Sequence, residues 1–143
     1  MKRSNRRRNP GKLTKLDYEA LAQIRYLFRQ FASFSEAAAR AAGLTTQQHQ
    51  TLLAIYGFPG PKRITIGALA ERLSLRHHSV VGLIDRLAAK ALVRRHRDPN
   101  DIRRVLLKLT SKGHSLLIRL SRVHRAEMRR LAPMLKQLLA RVG

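Results

Sequence analysis

Four neighbouring residues have side chains that can form hydrogen bonds to nucleic-acid bases: Arg76, His77, His78 and Ser79. Arg can bond bidentately to guanine and Ser can contact several bases, whereas the role of His depends on its tautomer and charge. Each of the four could instead contact only the phosphate backbone, so base reading and backbone binding both stay open. In either case these residue types are candidates for contact with a nucleic acid.

Further basic side chains lie in two stretches of strand-like composition, residues 92–97 and 103–109. The turn formers between them, residues 98–101, predict a β-hairpin. Strand alternation directs only some of these basic side chains toward a nucleic acid. The candidate contacts with the DNA backbone are Arg94, Arg95, Arg97 and Arg104 in the hairpin, with Thr65 and Arg86 outside it.

The net charge is distributed unevenly along the 143 residues. The chain has 30 basic and 8 acidic residues, a net charge of +22, yet residues 16–59 carry three of each sign. A neutral segment between basic ones favours phosphate binding with counterion release over a uniformly charged, solubilising surface. The first 13 residues predict a disordered basic arm with candidate contacts at Lys2, Arg3, Arg6, Arg7 and Arg8.

Several classes of function lack the residues that they need. The chain has no Cys, which excludes disulfides and thiol chemistry, and it contains neither a Gly-rich phosphate loop nor an HExxH motif. Its six His residues do not follow metal-ligand spacing, so no catalytic residue, metal or cofactor is expected. No run approaches about 18 apolar residues, so we expect a cytoplasmic protein, associated with the nucleoid through DNA and not with a membrane.

The apolar spacing predicts the helices that position these residues. A long helix is expected over 14–43, and a capping box of Thr45 and Gln48 begins a second one. Thr65 caps a short third helix, and residues 76–90 form a fourth, buried through Val80 or Val81 and Ile84, Leu87 and Ala88. Thr110 caps a further helix, and Pro133 is expected to begin a last, separate one.

Together these elements predict a mainly α fold with a small β-hairpin wing. The expected organisation is a basic arm over 1–13, an N-terminal helix over 14–43, a winged helix-turn-helix module over 44–110 and C-terminal helices over 111–143. The apolar stripes of the terminal helices exceed what so short a chain buries internally, which favours a homodimer.

Several local strings resemble the MarR family of winged helix-turn-helix bacterial regulators, over about residues 16–142. They are LTTQQ at 44–48, IGALA at 66–70 followed by Arg72-Leu73, DRL at 85–87, Leu92-Val93 and DPNDIRRVLLKLTSKG at 98–113. The chain departs from the family pattern at Ala91, where a Gly is usual, and at Ile102, where a charged residue is common.

The resemblance implies specific roles. Asp101 and Arg103 match the family's wing pair, in which the Arg enters the minor groove. The family also implies a dimer formed through the terminal helices, a pseudopalindromic operator and, in many members, loss of DNA affinity when a small aromatic acid binds. Helix faces suggest Phe28, Phe31, His49 and Leu52 as a candidate effector cleft, although plain core packing explains the same residues.

The predicted function is a dimeric, sequence-specific DNA-binding transcriptional regulator, a repressor released by an organic effector. Asp85 is interpreted as structural, in an ion pair with Arg86 that supports the wing. The alternative is an architectural protein that binds nucleic acid without sequence preference, mainly through its charge. The two differ in how much affinity survives at high salt.

Overall fold

The computed structural model describes residues 11–142, which form five helices and one β-hairpin. Helix α1 spans Lys15–Ala41 and begins at a reciprocal cap. The Thr14 N–H donates to Asp17 Oδ2 over 2.6 Å, and the Asp17 N–H donates to Thr14 Oγ1 over 3.4 Å. The chain then turns at Gly43, whose φ of 77° is left-handed.

Helices α2 and α3 begin where the sequence places their caps, and α4 follows them. Helix α2 spans Thr46–Tyr56, and the Thr45 hydroxyl accepts from the Gln48 N–H while the Gln48 side chain accepts from the Thr45 N–H. Helix α3 spans Ile66–Leu73, and the Thr65 hydroxyl accepts from the Ala68 N–H over 3.1 Å. Helix α4 spans His77–Ala89. The predicted capping box is therefore confirmed.

The predicted hairpin is also confirmed, and a third segment joins its edge. Strands β1, Val93–Asp98, and β2, Asp101–Leu109, pair antiparallel with Val93 opposite Leu109. The Leu107 N–H donates to the Ile64 carbonyl over 2.9 Å, and Thr65 forms an isolated bridge with Leu106. The extended segment at Ile64 and Thr65 thus connects the wing to the start of α3.

One helix boundary predicted from the sequence is wrong. Pro133 does not begin a separate helix, because α5 runs without interruption over Ser111–Val142 and contains it. The proline is exposed, while Leu131 and Leu138 on either side of it pack in the same cluster. Burial of these flanking leucines offsets the backbone hydrogen bond that a proline removes from a helix.

The described chain divides into two compact units, residues 34–126 and residues 11–33 with 127–142. The core of the first unit includes Ala39 from α1 and Leu116, Leu117 and Leu120 from α5, together with the central helices and the hairpin. The sequence predicts a module over 44–110, bounded by the ends of the terminal helices. The compact unit is larger, because it also includes the last turns of α1 and the first turns of α5. The core of the second unit comprises Ala20, Ile24, Leu27, Leu131 and Leu138.

The turn between α4 and β1 contains a residue in a strained conformation. Ala91 has a φ of 58°, and its N–H donates to the Ala88 carbonyl while the Leu92 N–H donates to the Leu87 carbonyl. This is the left-handed closure of a helix C-terminus, where glycine avoids the steric cost of Cβ. The usual family glycine at this position therefore has a conformational reason.

We expect Ala91→Gly to raise the free energy of unfolding by about 0.5–1 kcal/mol, because relief of the left-handed strain exceeds the entropy that glycine adds to the unfolded chain. Urea denaturation measures the change. Ala89→Gly is the matched control, since Ala89 is exposed in the last turn of α4 and the same substitution there should destabilise. Destabilisation by both variants would contradict the assignment of strain to Ala91.

Two histidines meet inside the unit formed by residues 34–126. The rings of His49 and His124 lie 4.6 Å apart between centroids. His124 Nδ1 lies 2.7 Å from the Leu120 carbonyl, which can only accept, so Nδ1 carries the proton, and Nε2 lies 2.9 Å from the Ser35 hydroxyl. Burial lowers the pKa of His49 from its ordinary value of 6.5, and the neighbouring His124 lowers that pKa further.

The lowered pKa of His49 predicts a loss of stability in acid. Well above pH 6.5 His49 is neutral in both states and contributes no pH dependence. As the pH falls below 6.5 the unfolded chain takes up the proton first, so the free energy of unfolding decreases until the pH passes the folded-state pKa. We expect His49→Gln to flatten the profile measured by urea denaturation between pH 7 and about pH 5.

The control for this profile is Thr51→Val, which alters a fully buried residue of the same helix without removing a titratable group. It should change the free energy of unfolding by a similar amount at every pH. If His49→Gln instead shifts the curve in parallel with the wild type, the pH dependence does not come from His49.

Candidate nucleic-acid interface

Helices α3 and α4 are joined by a tight turn that presents the first turn of α4 to solvent. Ser74 has a left-handed φ of 53°, and the Leu75 N–H donates to the Ala70 carbonyl over 3.0 Å. Helix α4 is fixed by its buried side chains, which include Val80 but not the half-buried Val81, together with Leu83, Ile84 and Leu87. The sequence left open which of the two valines is buried, and the structure shows that it is Val80.

All four candidate reading residues, 76–79, are exposed at this end of α4. Arg76 is the N-cap residue rather than part of the helix, and its side chain forms no capping hydrogen bond. The first turn of α4 contains no acidic residue, so the positive end of the helix dipole is not offset there. The resulting surface combines the exposed side chains of Arg76, His77, His78 and Ser79 with a helix terminus that favours anions.

The strand register shows which face of the hairpin each basic residue occupies. Directly opposed residues share a face of an antiparallel pair, and Arg94 faces Lys108 whereas Arg95 faces the buried Leu107. Arg94 and Lys108 are both exposed, and they form a cationic pair on one face of the wing. Arg97 lies opposite the half-buried Val105, on the same face as Arg95.

Arg95 is held to α4 by an ion pair. Its Nη2 donates to Asp85 Oδ1, and the same atom lies 3.4 Å from the Val81 carbonyl. Asp85 is structural, as the sequence indicated, but its partner is Arg95 and not Arg86. With side chains 34% and 61% exposed, the pair adds little stability, yet it fixes the wing against α4. Arg95 is therefore removed from the free phosphate-binding candidates.

The tip of the wing is organised by two carboxylates. Asp98 Oδ1 accepts from the Asn100 N–H over 2.9 Å, and Asp101 Oδ1 accepts from the Arg103 N–H over 3.1 Å. The same oxygen lies 3.3 Å from Arg103 Nε, while the Arg103 side chain remains 89% exposed. Asp101 thus holds the base of the guanidinium and leaves its outer edge available for the minor-groove contact that the family resemblance implies.

The remaining candidate contacts with the DNA backbone differ in the hydrogen bonds that they already form within the protein. The Thr65 hydroxyl accepts from the Ala68 N–H, so only its donor capacity is left for a phosphate. Arg86 and Arg104 are exposed. The five arm candidates, Lys2, Arg3, Arg6, Arg7 and Arg8, lie outside the described residues.

Sequence reasoning missed three basic residues beside the helix-turn-helix. Lys62 and Arg63 are exposed immediately before Ile64, the residue that bonds to the wing. Arg72 of α3 lies over the Phe58 ring, 4.9 Å from its centroid. The Gly- and Pro-rich loop at 57–61 interrupts the helical spacing of apolar residues, so the sequence predicts no site at the residues directly after it. The two consecutive basic residues that follow the loop are the sequence feature that could have identified this basic surface.

The four residues suggested as an effector cleft belong to two different units and differ in burial. Leu52 is fully buried in the core of residues 34–126, and His49 is buried beside His124. Phe31 packs on the core of the other unit, and Phe28 is exposed. None of the four lines the cavities described within residues 34–126.

Among residues 11–142 no three His, Asp or Glu side chains are placed to share a metal ion. No helix in the same range combines the length and apolarity that crossing a bilayer requires.

Comparison with known proteins agrees with this geometry. Residues 42–104, which run from the end of α1 into the wing, match the model of the MarR family. Over these residues the chain is therefore similar to the MarR family. An uncharacterized HTH-type transcriptional regulator of Bacillus subtilis, YcgE, is 35% identical over 94 residues, which are 66% of this chain. The match spans 59% of the length of that relative.

Solved structures of MarR-family proteins have the same fold. A cysteine-to-serine mutant of MarR from E. coli superposes with a TM-score of 0.68 at 25% identity, over 85% of this chain and 93% of that one. A mutant of MepR from S. aureus, solved bound to an oligodeoxyribonucleotide, superposes with a TM-score of 0.65 at 22% identity, over 85% of this chain and 84% of that one. The mainly helical winged architecture predicted from the sequence is confirmed.

Proposed function

We propose that the chain is a dimeric, sequence-specific regulator of transcription that binds double-stranded DNA. The observation that carries this proposal is the exposed block 76–79 at the start of α4, held on a buried helix beside a wing whose tip presents Arg103. Helix α4 would enter the major groove through this end, and Arg103 would enter the adjacent minor groove. Arg94, Arg97, Arg104 and the arm would contact phosphates.

Exposed apolar residues support the dimer. Within residues 11–33 and 127–142, large apolar side chains remain in contact with solvent. Such a surface is typical of an interface between subunits. It includes Leu16, Tyr18, Leu21, Phe28, Met134 and Leu139. Two copies would place their α4 helices in successive major grooves, about 34–36 Å apart.

Selection from a random pool of duplexes at about 0.2 M salt tests the proposal, because that salt weakens sequence-independent attraction. We expect a pseudopalindrome with half-sites one helical turn apart. Recovery of random sequences, or loss of all binding at this salt, would instead favour an architectural protein that binds through its charge. Control by repression is part of the proposal and follows if the recovered site overlaps a promoter.

A cavity within residues 34–126 supports release by an organic effector. It has a volume of about 280 Å³, and the Tyr56 and His114 rings stack beside it with centroids 4.5 Å apart. Arg122 and Arg125 provide positive charge on the same wall. Two aromatic rings with two cations fit a small aromatic acid.

We expect benzoate to dissociate the protein from its selected duplex, and we expect Arg122→Ala to raise the benzoate concentration needed by about fivefold to tenfold. Fluorescence anisotropy of labelled duplex measures both effects. Arg119→Ala is the matched control, since Arg119 lies on the same helix and does not line this cavity. An equal response of the two variants would place the effector elsewhere.

A further inference from the structure

Ile102 is the most exposed large apolar side chain among residues 11–142, with 68% of its surface accessible. It lies at the tip of the wing between Asp101 and Arg103. A single exposed apolar residue is ordinary on a protein surface, so its setting decides whether it carries a function. Here every other residue from 94 to 104 is charged or polar, apart from Pro99.

The wing tip holds Ile102 in a defined position. Asp101 accepts hydrogen bonds from both the N–H and Nε of Arg103, which fixes the backbone on either side of Ile102. Asp98 stiffens the preceding turn through the Asn100 N–H. Ile102 is also β-branched and extended, so its own side chain has few rotamers. A rigid apolar group on a rigid tip loses little conformational entropy when it is buried by a partner.

The local charge favours an apolar contact at this point. Asp98 and Asp101 lie beside Arg97 and Arg103, so two carboxylates offset two of the cations nearest the tip. Electrostatic attraction to phosphates is therefore weaker at the tip than along the strands, where Arg94 faces Lys108. Proteins that enter the minor groove often insert an apolar side chain, including Ile, between base steps.

We propose that Ile102 is an apolar wedge that enters the minor groove beside Arg103 and partly unstacks one base step. This inference rests on the DNA binding proposed above. Insertion is least costly at pyrimidine–purine steps, which are easily kinked. Ile102 therefore selects a TA or CA step without hydrogen-bonding to a base, and the bound duplex bends away from the wing.

The test uses the full chain and the duplex recovered by selection, with 2-aminopurine placed at successive steps under the wing. Unstacking raises the fluorescence of this base analogue at one step when wild-type protein binds. We expect Ile102→Ala to abolish that increase, to reduce the bend measured by energy transfer between the duplex ends, and to lower affinity about tenfold. Ile102→Val should retain most of the increase, and the salt dependence should not change, because no charge is removed.

Leu53→Ala is the matched control, because Leu53 is another exposed apolar residue and lies in α2. It should leave affinity and fluorescence unchanged. If Ile102→Ala binds and bends the duplex as the wild type does, or loses affinity with the fluorescence increase intact, the wedge is wrong while the regulator proposal stands. If the wild-type chain selects no duplex, the regulator proposal fails and the wedge fails with it.

Discussion

Gly113→Ala is expected to lower the free energy of unfolding by about 3 kcal/mol, because the first turn of α5 has no room for a side chain. A Cβ at Gly113 would lie 2.1 Å from the Leu92 carbonyl oxygen and 3.0 Å from its carbon. These are backbone atoms, so no rotamer change can relieve the overlap. Urea denaturation followed by circular dichroism measures the loss.

The contact is costly to break because it belongs to a network. The Thr110 N–H donates to the same Leu92 oxygen over 3.0 Å, and the Thr110 hydroxyl both donates to the Ala91 carbonyl and accepts from the Gly113 N–H. Moving α5 away to admit a methyl group would stretch all of these bonds together. The beginning of α5 and the end of α4 are therefore expected to separate as one event.

Gly67→Ala is the matched control for this prediction. Gly67 also lies near the start of a helix, α3, but the nearest atom to its added Cβ is the Thr65 hydroxyl at 4.0 Å. We expect this variant to be more stable than the wild type by about 0.5–1 kcal/mol, from helix propensity alone. If the Gly113→Ala protein is as stable as the wild type, the backbone at residues 91–92 can move to accept a side chain at little cost, and the prediction is wrong.

Arg103→Ala is expected to reduce affinity for the selected duplex by about tenfold to a hundredfold, the largest effect of any wing residue. The physical reason is the narrow minor groove of A·T-rich DNA, whose negative potential attracts a guanidinium. Arg103 is both exposed and oriented by Asp101, so it is ready to bind without reorganisation. Fluorescence anisotropy at fixed salt measures the change.

A comparison of Arg103→Ala with Arg104→Ala distinguishes a contact in the minor groove from a contact with phosphate. Arg104 is the exposed neighbour of Arg103, so its loss should weaken selected and random duplexes alike. Arg103→Ala should weaken the selected duplex more than the random one, and Arg103→Lys should recover only part of the loss, because the planar guanidinium is not replaced by a point charge. Equal losses on both duplexes would reduce Arg103 to a backbone contact.

The features that the sequence predicts correctly depend on residues within a few positions of each other. The capping box of Thr45 and Gln48, the turn at 98–101 and the contact between Asp101 and Arg103 each join residues no more than three positions apart. Each is determined by local backbone geometry, so residue type and spacing suffice to find it. The exposed start of α4 at residues 76–79 is also a local signal, and its role in reading DNA stays a prediction.

The features that sequence reasoning missed depend on tertiary packing. Asp85 could be paired with its neighbour Arg86 on paper, but the packing of β1 on α4 brings Arg95 to it from ten residues away. The contact between His49 and His124 joins α2 to α5 and has no signature in either helix. Pro133 is a local signal for a helix start that the burial of Leu131 and Leu138 overrides. In each case a contact distant in sequence decides a choice that local rules leave open.

Under the proposed function, the ion pair between Asp85 and Arg95 has a consequence for the exchange of DNA specificity among related proteins. Since the pair joins α4 to the first wing strand, the orientation of one depends on the other. A chimera that takes only residues 76–79 from this chain would place them on a helix whose angle is set by the recipient's own wing contact. The unit of transfer is the continuous segment 76–95, which contains both members of the pair and the turn at Ala91.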